Sequence, residues 1–333
     1  MKRIVLELTD RCNLRCRHCF AGRHGGKGLL SSGIFARILS EALSLGYTEL
    51  ALTGGEPTLH PQFSHFLSQA ASAGYRVGFV TNGWSFPQQY RHVLALRSAL
   101  TFVTFSLDGA SADTHDDIRG SGSYRRVLQA MSVCVATHIP FTANMVLTQA
   151  NHHELEDLAA LCEALGAQGL RFGHFIEAGQ PDASRLALDA DERRAIEERI
   201  RALDGRFRMP VGIAPGYFTK VLFPCAPLND EEINIDWRGY VSRCCHLSGP
   251  AWGQPTEPTG TLRDASLGEL VEKVVEDSNR LRADKTARKK TDALSSEDLW
   301  PCHYCVRQAS SRPYLVAPAT GRQTIRPLQR KPA

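Results

Sequence analysis

The chain has 333 residues, room for roughly two domains of ~150 residues or for one α/β barrel of about 200 to 250 with an appendage. Hydrophobic residues at 43% and charged residues at 22%, with 27 glycines and 17 prolines, exclude a disordered, collagen-like or membrane-spanning chain. The net charge of +4 is concentrated after Cys305, where Arg307, Arg312, Arg322, Arg326, Arg330 and Lys331 occur without an acid, so it reads as a solvated basic tail rather than a nucleic-acid patch.

The first ten residues include Glu7 and Asp10 and lack the long apolar run of a signal peptide or anchor, which places the chain in the cytoplasm with no membrane or nucleic-acid partner. Residues 4–8 form a short apolar run, 29–45 repeat apolar residues at helical spacing and stop at Gly46, and 49–53 are apolar again before Gly54-Gly55. The same rhythm predicts helices near 61–73, 87–97, 123–137 and 154–165, and strands at 75–81, 100–107, 141–147 and 169–175. Six strands alternating with helices predict a parallel sheet. Six units are too few to close an eight-stranded barrel, so the expected fold is α/β, a partial (β/α)6 barrel with its site at the carboxyl ends of the strands.

After Ala190 the pattern changes to one charged helix ending near Leu203 and a Pro/Gly-rich stretch over 210–227. Residues 233–236 and 240–242 flank Trp237-Arg238-Gly239 and predict a hairpin with glycine in the turn. A loop with Pro250, Pro255 and Pro258 leads to a helix over 266–283, and the basic run 285–290 reads as its solvated end. The expected division is a barrel over 1–205, a small α+β domain over 206–310 and a basic tail over 311–333.

Ten cysteines stand at 12, 16, 19, 134, 162, 225, 244, 245, 302 and 305. In a reducing compartment clustered cysteines point to metal ligation rather than disulfides. Cys134 and Cys162 stand alone in helical segments and read as small buried residues. Cys12-x3-Cys16-x2-Cys19 follows the first strand and brings three thiolates round one centre. Three cysteines leave one iron of a four-iron cluster without a protein ligand, open to a small molecule. A zinc knuckle completed by His18 or His24 is the alternative.

This loop resembles the CxxxCxxC motif of radical S-adenosylmethionine (SAM) enzymes. The resemblance implies that the open iron chelates the amino and carboxylate groups of SAM, and that one electron cleaves it to methionine and a 5'-deoxyadenosyl radical, which abstracts a hydrogen atom. It further implies an adenine contact from His18. Gly54-Gly55-Glu56-Pro57, directly after the second strand, is similar to the family's GGEP segment, which places Glu56 at the SAM ammonium. Thr81 and Asn82 at the end of the third strand, Ser106 and Asp108 at the end of the fourth, Asn144 in the fifth, and Arg119 resemble further family positions near SAM. The likeness covers roughly residues 3–180.

Cys225, thirteen residues, Gly239, four residues and Cys244 resemble the CX9-15GX4C hairpin of the SPASM and Twitch extensions, and Cys302-x2-Cys305 closes a set of four. No cysteine follows 305, so the resemblance implies the Twitch-like form with one auxiliary [4Fe-4S] cluster beside the SAM-binding one. A structural zinc ribbon on the same four thiolates is the alternative. Cys245 is left over. It reads as a core residue or spare ligand, or as a thiol that returns a hydrogen atom to a substrate radical, since its side chain would alternate away from Cys244 in an extended strand.

The resemblance implies a radical SAM oxidoreductase or isomerase that oxidises or cross-links a peptide in natural-product maturation and is served by a flavodoxin- or ferredoxin-type electron donor. Dehydrogenation or epimerisation of a sugar, an aminoglycoside or a peptide residue is the enzymatic alternative, and a zinc-stabilised binding module the non-enzymatic one. Eleven residues precede Cys12. That leaves no N-terminal peptide-recognition domain in this sequence, so a leader would dock elsewhere or on a separate protein.

Overall fold

The computed structural model describes residues 1–21, 26–177, 180–248 and 259–310. His24, Pro250, Pro255, Pro258 and the tail from 311 lie outside the described residues. The strands are β1 Lys2–Thr9, β2 Tyr47–Gly54, β3 Arg76–Thr81, β4 Leu100–Ser106, β5 Phe141–Leu147, β6 Leu170–His174, β7 Val211–Ile213, β8 Glu232–Ile235, β9 Tyr240–Ser242 and β10 Gly260–Thr261. The helices are α1 Ser32–Ala42, α2 Phe63–Ser72, α3 Phe86–Ala95, α4 Ala112–Arg119, α5 Ser123–Thr137, α6 Leu155–Ala164, α7 Ala183–Leu186, α8 Ala190–Arg201, α9 Leu267–Lys290 and α10 Pro301–Ser310.

All ten strands join one sheet in the order β10-β9-β8-β1-β2-β3-β4-β5-β6-β7. From β8 to β7 neighbouring strands run parallel, and β9 runs antiparallel to both of its neighbours, β8 and β10. The sheet is open: β7 and β10 are its two ends. The expected six-strand α/β barrel is present and is extended by β7, which pairs Leu170 with Val211. Three residues are too short a run to stand out as a strand by periodicity. The expected hairpin is β8–β9, and its inner strand β8 pairs parallel with β1, Ile4 opposite Ile233 and Leu6 opposite Ile235.

Local signals set these elements. Ser31 caps α1 by accepting from the Ile34 amide, and Gly46, at φ 83°, ends the following tight turn where a side chain would be strained. Asp189 with Glu192, and Ser266 with Glu269, form capping boxes that start α8 and α9. Helix α4 has no counterpart in the expected elements; Ser111 caps it and Asp113 lies in its first turn. Only Ala112 and Ile118 of its eight residues are apolar, too few positions to stand out in sequence.

Along β5, Phe141, Ala143, Met145 and Leu147 are buried against the helices while Thr142, Asn144 and Val146 are half-buried on the opposite, inner face. The main core runs from Ile4 through Phe35, Phe66, Phe79 and Phe105 to Phe172, and includes Ile233, Val241 and Leu270 from the C-terminal segment. No helix among the described residues is long and apolar enough to cross a membrane. Phe105 is fully buried, edge-on to Phe86 at 5.3 Å and to Phe141 at 5.9 Å. Phe105→Ala is expected to destabilise the fold by about 3 to 5 kcal/mol, read as a lowered urea midpoint.

Candidate active site at the strand ends

The loops after the parallel strands converge at one end of the sheet, and the cysteine loop after β1 is held there by the end of β2. The Gly55 amide donates to Thr9 O at 2.7 Å and the Glu56 amide to Arg11 O at 2.7 Å. A Cβ on Gly54, at φ +135°, would lie 2.2 Å from Thr9 O, and one on Gly55 would lie 2.1 Å from Arg11 O. Only glycine permits this approach of two backbones. From the other side, the Thr9 hydroxyl donates to Gly28 O at 2.6 Å, and Asp10 Oδ1 accepts from the Gly28 amide at 2.7 Å.

Glu56 is 1% exposed. Its Oε1 accepts from the Thr58 hydroxyl at 2.6 Å, the Thr81 hydroxyl at 2.7 Å and the Thr58 amide at 3.2 Å. Among the described residues its Oε2 accepts from the Asn82 amide alone, at 2.8 Å, so this oxygen keeps room for a further donor. Burial raises the Glu56 pKa against the lowering effect of these bonds. Pro57 opens the buried turn Pro57–Leu59. Asn82 Nδ2 donates to Asn13 Oδ1 at 2.9 Å, which ties the end of β3 to the cysteine loop.

Asp108, after β4, is fully buried and gathers the far side of the site. Its Oδ2 meets His18 Nε2 at 2.6 Å and accepts from Arg119 Nε, and its Oδ1 accepts from the Val146 amide at 2.8 Å. Burial opposes its charge, but Arg119 and His18 outweigh it and hold the carboxyl well below the usual range. Arg119 also points Nη1 at Cys16 Sγ, 3.9 Å away. The Asp108 amide donates to His115 Nδ1 and Asn151 Nδ2 to the Asp108 carbonyl, so the node is fixed from α4 and from the turn after β5. Ser106 and Asn144 are paired residues of β4 and β5 on the inner face. Arg17 ties the loop to α4 and α7 through Asp117 and Asp182.

Burial pushes the Cys12 thiol up to about 11 and the Cys16 thiol up to about 12, so their thiolates require a cationic partner. Cys12, Cys16 and Cys19 act on one another electrostatically, and Arg119 favours the thiolates of Cys12 and Cys16. Iron would supply the positive charge that this donor set lacks. Among the described residues no three His, Cys, Asp or Glu side chains are gathered tightly enough for a single metal ion.

Cys225, Cys244, Cys302 and Cys305 form a second group within mutual electrostatic reach, and burial pushes Cys244 and Cys305 up to about 12. Strand β9 ends at Ser242, so the pair at 244 and 245 is not separated by strand alternation as expected. Cys244 has an extended backbone and Cys245 opens the turn Cys245–Leu247. Cys245 faces the charges of Cys244, Glu232 and Glu7. Cys134 and Cys162 are fully buried in α5 and α6.

Four rings escaped the reading of the sequence. His174 at the end of β6 lies 5.9 Å from the His246 ring and 6.2 Å from the His303 ring, and Phe20 meets His246 edge-on at 5.4 Å. These contacts join the first cysteine loop to the second group. Only the adjacency of Phe20 to Cys19, of His246 to Cys245 and of His303 to Cys302 signals them in sequence.

An open parallel sheet carrying a three-cysteine loop on its first strand defines a partial-barrel enzyme that works at its strand ends. Residues 6–162 match the Radical SAM superfamily and form a radical SAM domain; the members of that superfamily are enzymes that use a [4Fe-4S] cluster and SAM. The chain is 29% identical over 242 residues to the AdoMet-dependent heme synthase of Methanosarcina barkeri, covering 71% of this chain and 68% of that protein. It is 28% identical over 201 residues to the sporulation killing factor maturation protein SkfB of Bacillus subtilis, covering 59% of this chain and 48% of that one. It thus spans about half the length of SkfB. The fold is similar to that of Streptococcus suis SuiB bound to its precursor peptide SuiA, with a TM-score of 0.66 at 14% identity over 81% of this chain and 64% of that one.

Gly55→Ala is expected to push the cysteine loop off its seat, so that the variant loses most of the iron the native chain takes up on anaerobic reconstitution. Gly212→Ala, whose Cβ meets open space on β7, serves as the control with unchanged iron.

Proposed function

We propose that the chain is a radical SAM peptide maturase that oxidises or cross-links its substrate at an unactivated C–H bond. The observation that carries this reading is the superfamily match joined to relatives whose names are those of peptide-maturing proteins, SkfB among them. Cys12, Cys16 and Cys19 would hold the SAM-binding cluster, and Cys225, Cys244, Cys302 and Cys305 an auxiliary cluster in a Twitch-like segment over 206–310. When bound, cluster and SAM together supply reductive SAM cleavage and hydrogen abstraction.

The chain's own residues then do the positioning. Glu56 presents Oε2 to the SAM ammonium while Thr58, Thr81 and Asn82 hold its carboxylate in place. Asp108 orients His18 toward the adenine side and keeps Arg119 charged beside Cys16. Ser106 and Asn144 offer polar groups from the inner face to the rest of SAM. The wall of β1–β6, apolar toward the helices, excludes water from beneath the site. All ten cysteines are free thiols. A cytoplasmic setting and a flavodoxin- or ferredoxin-type donor complete the proposal.

A second reading is supported by Cys245, a fifth thiol that feels the charge of Cys244 first and those of Glu232 and Glu7 after it. There it would return a hydrogen atom to a substrate radical, and the net reaction would be epimerisation of a peptide residue or a sugar. Incubation with SAM, reductant and peptides encoded near the gene separates the two by mass. Loss of two hydrogens supports oxidation, whereas no change in water but a gain in heavy water supports epimerisation, and Cys245→Ala then stops the gain. No change in either solvent with any peptide would count against peptide maturation.

Ligand counting gives about eight irons per reconstituted chain. Changing Cys12, Cys16 and Cys19 together to Ala is expected to halve that number. Unchanged iron in the triple variant would refute the two-cluster assignment. Glu56→Gln is expected to weaken SAM binding about ten- to a hundred-fold with iron retained, measured by equilibrium binding.

A further inference from the structure

Lys285 opens the basic run 285–290 that reads in sequence as a solvated helix end, yet it is 2% exposed. On α9 the buried positions Val274, Ser278, Leu281 and Lys285 follow one another at helical spacing, so the lysine occupies a place where an apolar side chain would ordinarily fall. Its ammonium donates to Leu222 O at 3.2 Å and stands 4.7 Å from the centre of the Tyr304 ring. Both partners belong to the second cysteine group: Leu222 is three residues before Cys225, and Tyr304 lies between Cys302 and Cys305. Cys225 and Cys305 pack on the same small apolar cluster, formed by Leu228, Leu281 and Tyr304.

Among the described residues Lys285 has no carboxylate partner. The acid nearest in influence, Asp298, is bound to Arg288 at 3.1 Å and to Arg307, and Asp284 accepts from the Tyr304 hydroxyl at 2.8 Å. A buried cation needs a compensating negative charge, and a ring face with one carbonyl does not supply it. The four thiols do so once they are ionised. Arg243, 5% exposed and hydrogen-bonded to Ser278 Oγ at 3.1 Å, brings a second positive charge that acts on Cys225, Cys244 and Cys305. One acid, Glu232, also acts on Cys225, and it is bound to Arg3 at 2.8 Å.

We infer that Lys285, helped by Arg243, is the built-in countercharge of the anionic centre held by Cys225, Cys244, Cys302 and Cys305, and that it raises the reduction potential of that centre. The inference rests on the auxiliary-cluster reading above. Reduction adds one electron to a centre that is already negative, and a fixed cation in a low-dielectric surrounding stabilises the reduced form more than the oxidised one.

The test uses the full chain with Cys12, Cys16 and Cys19 changed to Ala, so that only the second group can bind iron. The reconstituted protein is titrated to its midpoint potential by electron paramagnetic resonance, with iron assayed in parallel. Lys285→Met is expected to keep the iron and move the midpoint to more negative potential, and Lys285→Arg to restore it. Loss of iron in Lys285→Met with retention in Lys285→Arg also supports a countercharge. An unchanged midpoint in Lys285→Met, or equal iron loss in both variants, would overturn the inference. A parent protein without iron would instead sink the auxiliary-cluster reading itself.

Discussion

Everything at the functional end of the sheet depends on how closely two backbones approach. The amides of Gly55 and Glu56 bond to the carbonyls of Thr9 and Arg11, and at that distance neither Gly54 nor Gly55 has room for a Cβ. The contact converts a free loop of ten residues, 10–19, into one fixed at its root. The carboxylate of Glu56 then continues the same contact outward to Thr58, Thr81 and Asn82, and Asn82 returns to the loop at Asn13. A cofactor-binding loop gains from being ordered before it binds, because ordering entropy is then not lost at the moment of binding.

The opposite side of the loop is fixed by charge rather than by backbone. Asp108 is buried with His18 and Arg119 on one oxygen, and Arg119 reaches Cys16. A buried carboxylate on its own would be strongly unfavourable, and a buried arginine equally so, but each supplies what the other lacks. Removing either leaves the other uncompensated, which makes the node rigid. The loop is therefore held between a neutral clasp at β2 and an ionic one at β4 and α4.

The two cysteine groups are parts of one continuous structure. Strand β8 pairs with β1, and α9 contributes Leu267, Leu270, Val271 and Val274 to the same core as the barrel strands. The cysteine loop leaves one end of β1 while the hairpin that leads to Cys244 lies along its edge, so displacement of β1 would be felt by both groups. Rings from Phe20 to His246, His174 and His303 close the remaining gap at the mouth.

What the sequence determined by itself is what depends on near neighbours. The strand-helix rhythm, the three-cysteine spacing, the glycine pair at a strand end and the hairpin about Gly239 are all short-range patterns, legible because the side-chain period and the turn requirement act within a few residues. The tertiary structure decided what distant residues do to one another. Helix α4, with only two apolar residues of its own, is held by hydrogen bonds that the Ser111 and Thr114 hydroxyls donate to Glu154. Arg119, which in sequence could equally have been a surface charge, is drawn inward by Asp108. Lys285 is buried although its neighbours Arg288, Lys289 and Lys290 mark a solvated helix end, because burial follows from which face of α9 meets the second cysteine group. Charge and burial at a single position are properties of the assembled surroundings, and a local pattern carries no record of them.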